Sequence, residues 1–323
     1  MKLYVNQDGQ AIGPFSEEEI RNKIYSGEIM RSAYACVDGS KEWAPLDKLL
    51  ERSPVVKAVE EELPVSVPPF LRDPKEKTAL TWLYIAAAIV WLVLIACVVA
   101  TAGGLLIVGG MLWIAGAVAE MMFAAYVKTN AVRVSERQLP ELHHVALVAS
   151  RKLAIPCPDV YVLQQNVWNA FAAKIFGRRM IVLLSGAVDS ILLKGDEQQL
   201  TWLIGHELGH HWAGHLDLSH KLAKAGDIFI WLGLWYSRRA ELTCDRVGLY
   251  CAGSLKASQL AMINATVGAQ LANRVDIDQA RAQWQQHRNE FFVRYRTFYS
   301  THPQLLARLD LLTQAAAQLG IKD

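Results

Sequence analysis

The sequence predicts a mainly helical protein in three parts: a small α+β front module, a two-helix transmembrane hairpin, and a helical C-terminal domain with a short β-sheet. Three observations carry this. No charged side chain occurs from Thr78 to Ala119. After that run, apolar residues recur mainly at helical spacing, with strand-like runs only at residues 160–163 and 180–184. Before it, a stretch rich in Pro and Glu separates off a polar segment. The expected parts are the front module at 1–50, a linker at 51–78, the hairpin at 79–126 and the C-terminal domain at 127–323.

Composition narrows the class. The 323 residues carry 33 Lys+Arg against 31 Asp+Glu, a formal net charge of +2. That balance argues against a nucleic-acid partner, whose phosphates call for a basic excess. Hydrophobic residues make up 52% of the chain, ample material for a core, so global disorder is excluded. Five cysteines are scattered without a CxxC pair, which fits reduced thiols facing a cytoplasm. Residues 1–13 are polar and contain no apolar stretch of the secretory-signal kind.

The elements follow in order. Linker residues 51–78 mix Glu60, Glu61 and Glu62 with Pro54, Pro64, Pro68, Pro69 and Pro74, which favours extended, partly polyproline backbone. The uncharged run divides at residues 101–104 into spans at 79–100 and 105–126, each long enough to cross a hydrocarbon core. Arg72, Lys75 and Lys77 precede the first span, and Lys128, Arg133 and Arg137 follow the second. Positive flanks and an uncharged turn place both termini in the cytoplasm. Glu120 reads as a solvated flank residue of the second span. Helices are expected at 141–153, 196–216, 237–252, 255–272, 276–295 and 303–319. The apolar stretch 228–235 is too short to span a bilayer and reads as core packing or a membrane-facing lip.

The helix at 196–216 contains His206-Glu207-Leu208-Gly209-His210, an HExxH motif. Two His one turn apart share a helix face, and two neutral imidazoles there can hold one zinc ion. Glu207 then stands beside the metal, placed as a general base. His215, read as continuing the helix, points away at nine positions from His206. Position 216 is Leu, so a third His at the metzincin spacing is excluded. The third ligand should come from another helix, and residues 237–245 offer Glu241 and Asp245 one turn apart. Asp245 suits a role behind the metal, orienting a ligand imidazole through its second nitrogen. Cys244 reads as a small apolar filler.

These residues resemble the membrane zinc metallopeptidases that include HtpX-like and CAAX prenyl endopeptidases. The match covers about residues 135–323. His206 to His210 is similar to the family's HExxH. Ser237-Arg238 through Glu241 to Asp245 is similar to its SR-x-x-E-x-x-A-D segment, which implies Glu241 as third ligand. Asn169-Ala170-Phe171 resembles its NAF element, and His302-Pro303 through Arg308 its HP-x-x-x-x-R element. The resemblance implies a mainly α zincin-type domain with a small edge sheet, holding one Zn2+ per chain. It also implies roles at the cleft for Asn169 and His302, in binding substrate backbone or the oxyanion. Their alternatives are a loop residue and a cap before Pro303. Cys244 departs from the family's usual Ala.

The front module resembles a bacterial GYF-type domain through Gly13-Pro14-Phe15, Ile24, Gly27, Ile29 and Trp43-Ala44-Pro45-Leu46. This implies a proline-rich peptide as a partner, although the Gly-Tyr-Phe triplet itself is absent. Tyr4, Phe15, Tyr25, Tyr34 and Trp43 read as core rather than as a docking face. The linker segment 62–70 is a candidate occupant in cis.

The expected function is peptide-bond hydrolysis at a cytoplasm-facing site in a bacterial inner membrane, in quality control of membrane proteins. A substrate strand would pair with an exposed edge near 180–184. The competing reading is a catalytically inactive, membrane-tethered adaptor that works through the GYF-like module.

Overall fold

The computed structural model describes residues 2–7, 10–16, 19–20, 23, 28–30, 33–40, 42–46, 49, 67–167, 169–192 and 196–321. The chain divides into two compact units, Met1–Val65 with Leu192–Gly195, and Ser66–Ile191 with Asp196–Asp323. The linker segment 51–66 lies outside the described residues, as do Ile24, Tyr25, Gly27 and part of the Glu-rich segment.

In the first unit, β1 (Lys2–Gln7), β2 (Gln10–Ser16), β3 (Tyr34–Val37) and β4 (Trp43–Pro45) form an antiparallel sheet ordered β2-β1-β3-β4. Strand alternation turns Leu3, Val5 and Ala35 into a core shared with Ile20, Ile29 and Leu46, against which Phe15 packs. The register pairs Tyr4 with Cys36, Cys36 with Trp43, and Tyr34 with Pro45. Residues directly opposite share a face, so Tyr4, Tyr34 and Trp43 line the side away from that core. Tyr34 is 54% and Trp43 42% exposed. The expectation of an aromatic core holds for Phe15 and is corrected for Tyr34 and Trp43: the fully buried positions are aliphatic, and these two occupy the alternate face.

In the second unit, two helices, Glu76–Ala100 and Gly104–Asn130, are each long and apolar enough to cross a membrane, with mean hydropathies of 2.8 and 1.9 over their most apolar 18 residues. Most of their large apolar side chains are exposed. The foot of the first helix is an exception. Ala79, Leu83, Ala86 and Ala87 are buried, and Gly226 lies so close that a Cβ there would meet the Leu83 carbonyl at 2.6 Å. Trp91 donates from its indole nitrogen to the Leu222 carbonyl at 3.2 Å. Glu120 is a half-exposed flank residue, as expected, and pairs with the similarly exposed Lys221 side chain at 2.6 Å.

The second sheet is ordered β5-β6-β8-β7, from β5 (Ala131–Arg133), β6 (Asp159–Leu163), β7 (Ala170–Ile175) and β8 (Arg178–Leu184). β6 and β8 run parallel and the other pairs antiparallel. The 180–184 run is therefore interior, not an edge. The edge beside the motif helix is β7, outside the two strand-like runs of the sequence. Its Ala-rich composition carries little strand signature. A two-residue hairpin turn creates it: Phe176 (φ 47°) and Gly177 (φ 81°) both take positive φ, as a type I′ turn requires.

The remaining helices are Pro140–Lys152, Ser185–Leu192, Glu197–Trp212, Leu218–Ala223, Ile230–Ala252, Leu255–Val267, Ala269–Ala272, Ile277–His287, Phe291–Phe298 and Leu305–Leu319. The 276–295 expectation splits after His287, where neither half buries a residue that would hold it straight. The 255–272 expectation breaks at Gly268, with φ 80°. The helix expected from 237 begins at Ile230 and leaves Ile228, Ile230 and Trp231 exposed as a lip rather than as core. Helices Glu197–Trp212 and Ile230–Ala252 share the most extensive helix contact among the described residues. A Cβ on Gly205 would meet Gly248 at 3.1 Å, and one on Gly209 would meet the Cys244 backbone at 2.9 Å. Only glycine lets these two helices approach so closely.

Candidate metal centre and active site

The motif helix is started by Asp196, whose side chain accepts from the Gln199 amide at 2.9 Å. It buries His206 and Glu207 and ends at Trp212. Close packing against Ile230–Ala252 brings Glu241 to the two motif histidines. Glu241 lies 3.6 Å from His206 Nε2 through one oxygen and 3.7 Å from His210 Nε2 through the other. Tetrahedral zinc with bonds of about 2.0–2.1 Å needs donor atoms roughly 3.3 Å apart. Two imidazole nitrogens and a carboxylate at this spacing fit a zinc ion.

Cys244 also lies within ligand distance of His206 and His210. Its sulfur, however, faces His215 Nδ1 at 3.8 Å, on the Nδ1 side of His210 and away from the cavity. Burial raises its thiol pKa well above the usual range, which disfavours a thiolate. Glu241 lines the cavity and Cys244 does not, so the geometry favours Glu241 as the third donor.

The cavity measures about 380 Å³, and Asn169, Trp202, Glu207, His302 and Arg308 help to line it. Burial pushes the Glu207 carboxyl up to about 7, against the pull of the Ala172 backbone N–H from the edge strand β7. Burial lowers the His210 pKa to about 3, so its imidazole is neutral. Burial also opposes charge on His206, but its hydrogen bonds to Asp245 and Glu241 outweigh that and raise it to about 10. A proton and a metal ion therefore compete for His206.

Asp245 accepts from His206 Nδ1 at 3.0 Å. Arg308 clamps Asp245 with bonds of 2.8 and 2.6 Å. Asn169 sits at the head of β7, where its side-chain oxygen accepts from the Ala170 amide at 2.9 Å. His302 Nδ1 is 3.2 Å from Glu241 and its side chain is 65% exposed. It precedes the last helix, whose N-cap is Gln304, so it is not the cap itself.

His215 departs from the helical-wheel expectation. Gly214 takes φ +77° and ends the helix, and the His215 amide returns to the His210 carbonyl at 3.0 Å. With the Gly214 amide bonded to the His211 carbonyl at 3.3 Å, this is a Schellman ending. It folds His215 back onto His210, Nδ1 to Nδ1, at 3.1 Å. A glycine four residues after the second motif His is the signal that marks this reversal.

Residues 136–232 and 219–316 match the model of Peptidase family M48. The chain belongs to peptidase family M48. Residues 4–51 match the model GYF domain 2. The M48 chain is 28% identical over 164 residues to the plastoglobule-localized metallopeptidase 48 of Arabidopsis thaliana, covering 46% of this chain and 47% of that one. It is 26% identical over 238 residues to a protease HtpX homolog of Desulfatibacillum aliphaticivorans, covering 59% and 74%. It is 37% identical over 82 residues to a protease HtpX homolog of Pyrococcus abyssi, covering 25% and 27%. The chain thus spans about half the length of the plastoglobule relative and about a quarter of the Pyrococcus one.

Proposed function

We propose that this M48 chain is a membrane-anchored zinc endopeptidase that cleaves extended polypeptide segments. One observation carries the reading: Glu207, the Nε2 atoms of His206 and His210, and Glu241 meet in one cavity beside a sheet edge. In this reading His206, His210 and Glu241 hold one zinc ion. When bound, zinc supplies a Lewis acid for the scissile carbonyl and acidifies the attacking water. Glu207 takes that water's proton and passes it to the leaving amine, a transfer suited to a carboxyl whose pKa is near 7. Asp245 holds the His206 imidazole with Nε2 facing the site. His302 braces Glu241, and the Asn169 amide is placed to meet substrate backbone or the oxyanion. A substrate strand adds to β7, which among the described residues pairs only with β8.

The two apolar helices anchor the chain in a bilayer, with both termini and the cavity on the cytoplasmic side of a bacterial inner membrane. Positive flanks support that orientation. Membrane proteins under quality control are the substrates this placement favours. The front module, residues 1–50, takes a proline-rich peptide on the face that exposes Tyr34 and Trp43, and residues 51–78 tether it. The test is zinc content together with cleavage of unfolded and membrane-protein substrates by the full chain in detergent. Glu207→Gln abolishes cleavage and keeps zinc. A Glu207→Gln protein with near-normal turnover sinks the mechanism. The same variant, used as a substrate trap, identifies what the enzyme holds.

A further inference from the structure

His215 and Glu76 belong to none of the family motifs above, yet both are buried, Glu76 completely. Glu76 opens the first long apolar helix. His215 Nε2 lies 3.2 Å from Glu76 Oε1, and His215 Nδ1 lies 3.1 Å from His210 Nδ1. Arg72 bonds the same Glu76 oxygen at 2.6 Å, and the Thr243 hydroxyl donates to the other. Thr243 is held in turn by the Asp73 amide at 2.9 Å, and Arg72 also donates to the Ala213 carbonyl at 2.7 Å.

Hydrogen accounting fixes the direction of this chain. An ionised carboxylate only accepts, so His215 carries its proton on Nε2. A metal ion on His210 Nε2 leaves the His210 proton on Nδ1, so His215 must accept there through a lone pair on its own Nδ1. Two nitrogens 3.1 Å apart need one donor, so His210 donates from Nδ1. That leaves the His210 Nε2 lone pair facing Glu241 and the cavity. The opposite assignment sets a His215 lone pair against the Glu76 carboxylate and a proton at the donor atom of the site. The same logic holds on the other side: His206 donates from Nδ1 to Asp245, which Arg308 clamps. Each motif histidine is thus backed by a carboxylate and an arginine. For His210 an extra imidazole fills the gap, because its carboxylate comes from the foot of the apolar helix.

We propose that His215 and Glu76 are positioning residues for His210, fixing its tautomer and ring orientation so that the metal site is assembled only when the first membrane helix is docked. The proposal rests on the reading of His210 as a metal ligand. Partners of this kind change metal affinity by about 10–100-fold when removed.

The experiment measures zinc affinity of the full chain in detergent by competition with a chromophoric chelator, with the visible spectrum of the Co2+-loaded protein as a second readout. His215→Phe and His215→Ala each weaken zinc by at least about tenfold and shift the Co2+ bands. His215→Gln, whose amide can accept from His210 and donate to Glu76, recovers most of the affinity. Glu76→Ala weakens zinc as well, and adding it to His215→Phe weakens binding no further, because the two act in one chain. A folded His215→Ala or His215→Phe protein with wild-type affinity and spectrum overturns the proposal; should the bulkier variant fail to fold, His215→Ala decides alone. His210→Ala is the control: if it keeps wild-type zinc affinity, the ligand assignment has failed rather than the chain behind it.

Discussion

Arg308 grips both oxygens of Asp245, at 2.8 Å through Nε and 2.6 Å through a terminal nitrogen. Asp245 is buried and also serves His206, so its charge depends on this clamp. Removing the arginine strands a buried carboxylate, a loss of roughly 3–5 kcal/mol. Arg308→Leu is expected to lower the denaturation midpoint sharply, read by chemical unfolding of the full chain. Asp245→Asn keeps the shape and is expected to weaken zinc about 10–100-fold. Unchanged affinity in Asp245→Asn would return that residue to a purely structural role.

The glycine contacts between the two metal-site helices predict a steric effect. In Gly209→Ala the new methyl would sit 2.9 Å from the Cys244 backbone, which cannot rotate away. The helices must separate, at a cost of roughly 1–3 kcal/mol. Because His206 and Glu241 lie on opposite members of the pair, zinc affinity falls with stability. Gly177→Ala, in the distant hairpin turn, is expected to lower stability and leave zinc affinity alone. Isothermal titration of both variants checks the contrast.

Edge-strand recognition predicts a kinetic signature. The Ala172 N–H points toward Glu207 rather than into the ladder. Proline is tolerated on an edge strand where the missing N–H faces outward. Ala172→Pro should therefore fold with a melting temperature near wild type and raise KM for extended peptides several-fold. A KM equal to wild type would remove β7 as the substrate rail.

Topology predicts a labelling pattern. A cysteine introduced by Ala102→Cys is expected to react with an impermeant thiol reagent in intact cells, whereas Gln10→Cys and Gly320→Cys react only after lysis. Reaction of either terminal cysteine in intact cells would invert the orientation argued from the positive flanks.

Much of this architecture is legible in the residues. The uncharged run announces the two long helices, and the spacing of His206 and His210 places two candidate ligands on one helix face with Glu207 beside them. Asp245 is also legible, because it sits one turn from Glu241. The edge strand is not, because Ala170, Ala172 and Ala173 carry no strand preference and become a strand only through the turn at Phe176 and Gly177. Glu76 is invisible for another reason. Its partner His215 is 139 positions away, and a single acidic residue before an apolar run looks like an interfacial flank. The exposure of Tyr34 and Trp43 is not legible either, because aromatic content alone does not say which strand face is buried.

The free side of β7 has a consequence for what can be cut. A sheet edge bonds to peptide groups, and peptide groups are the same in every sequence. Those of a native helix or interior strand are already engaged and cannot be offered. On the proposed strand-addition reading, entry to this cleft would be governed by the folding state of the client more than by its residues. A protein would become a client on losing structure and cease to be one on regaining it, without any change in its chemistry.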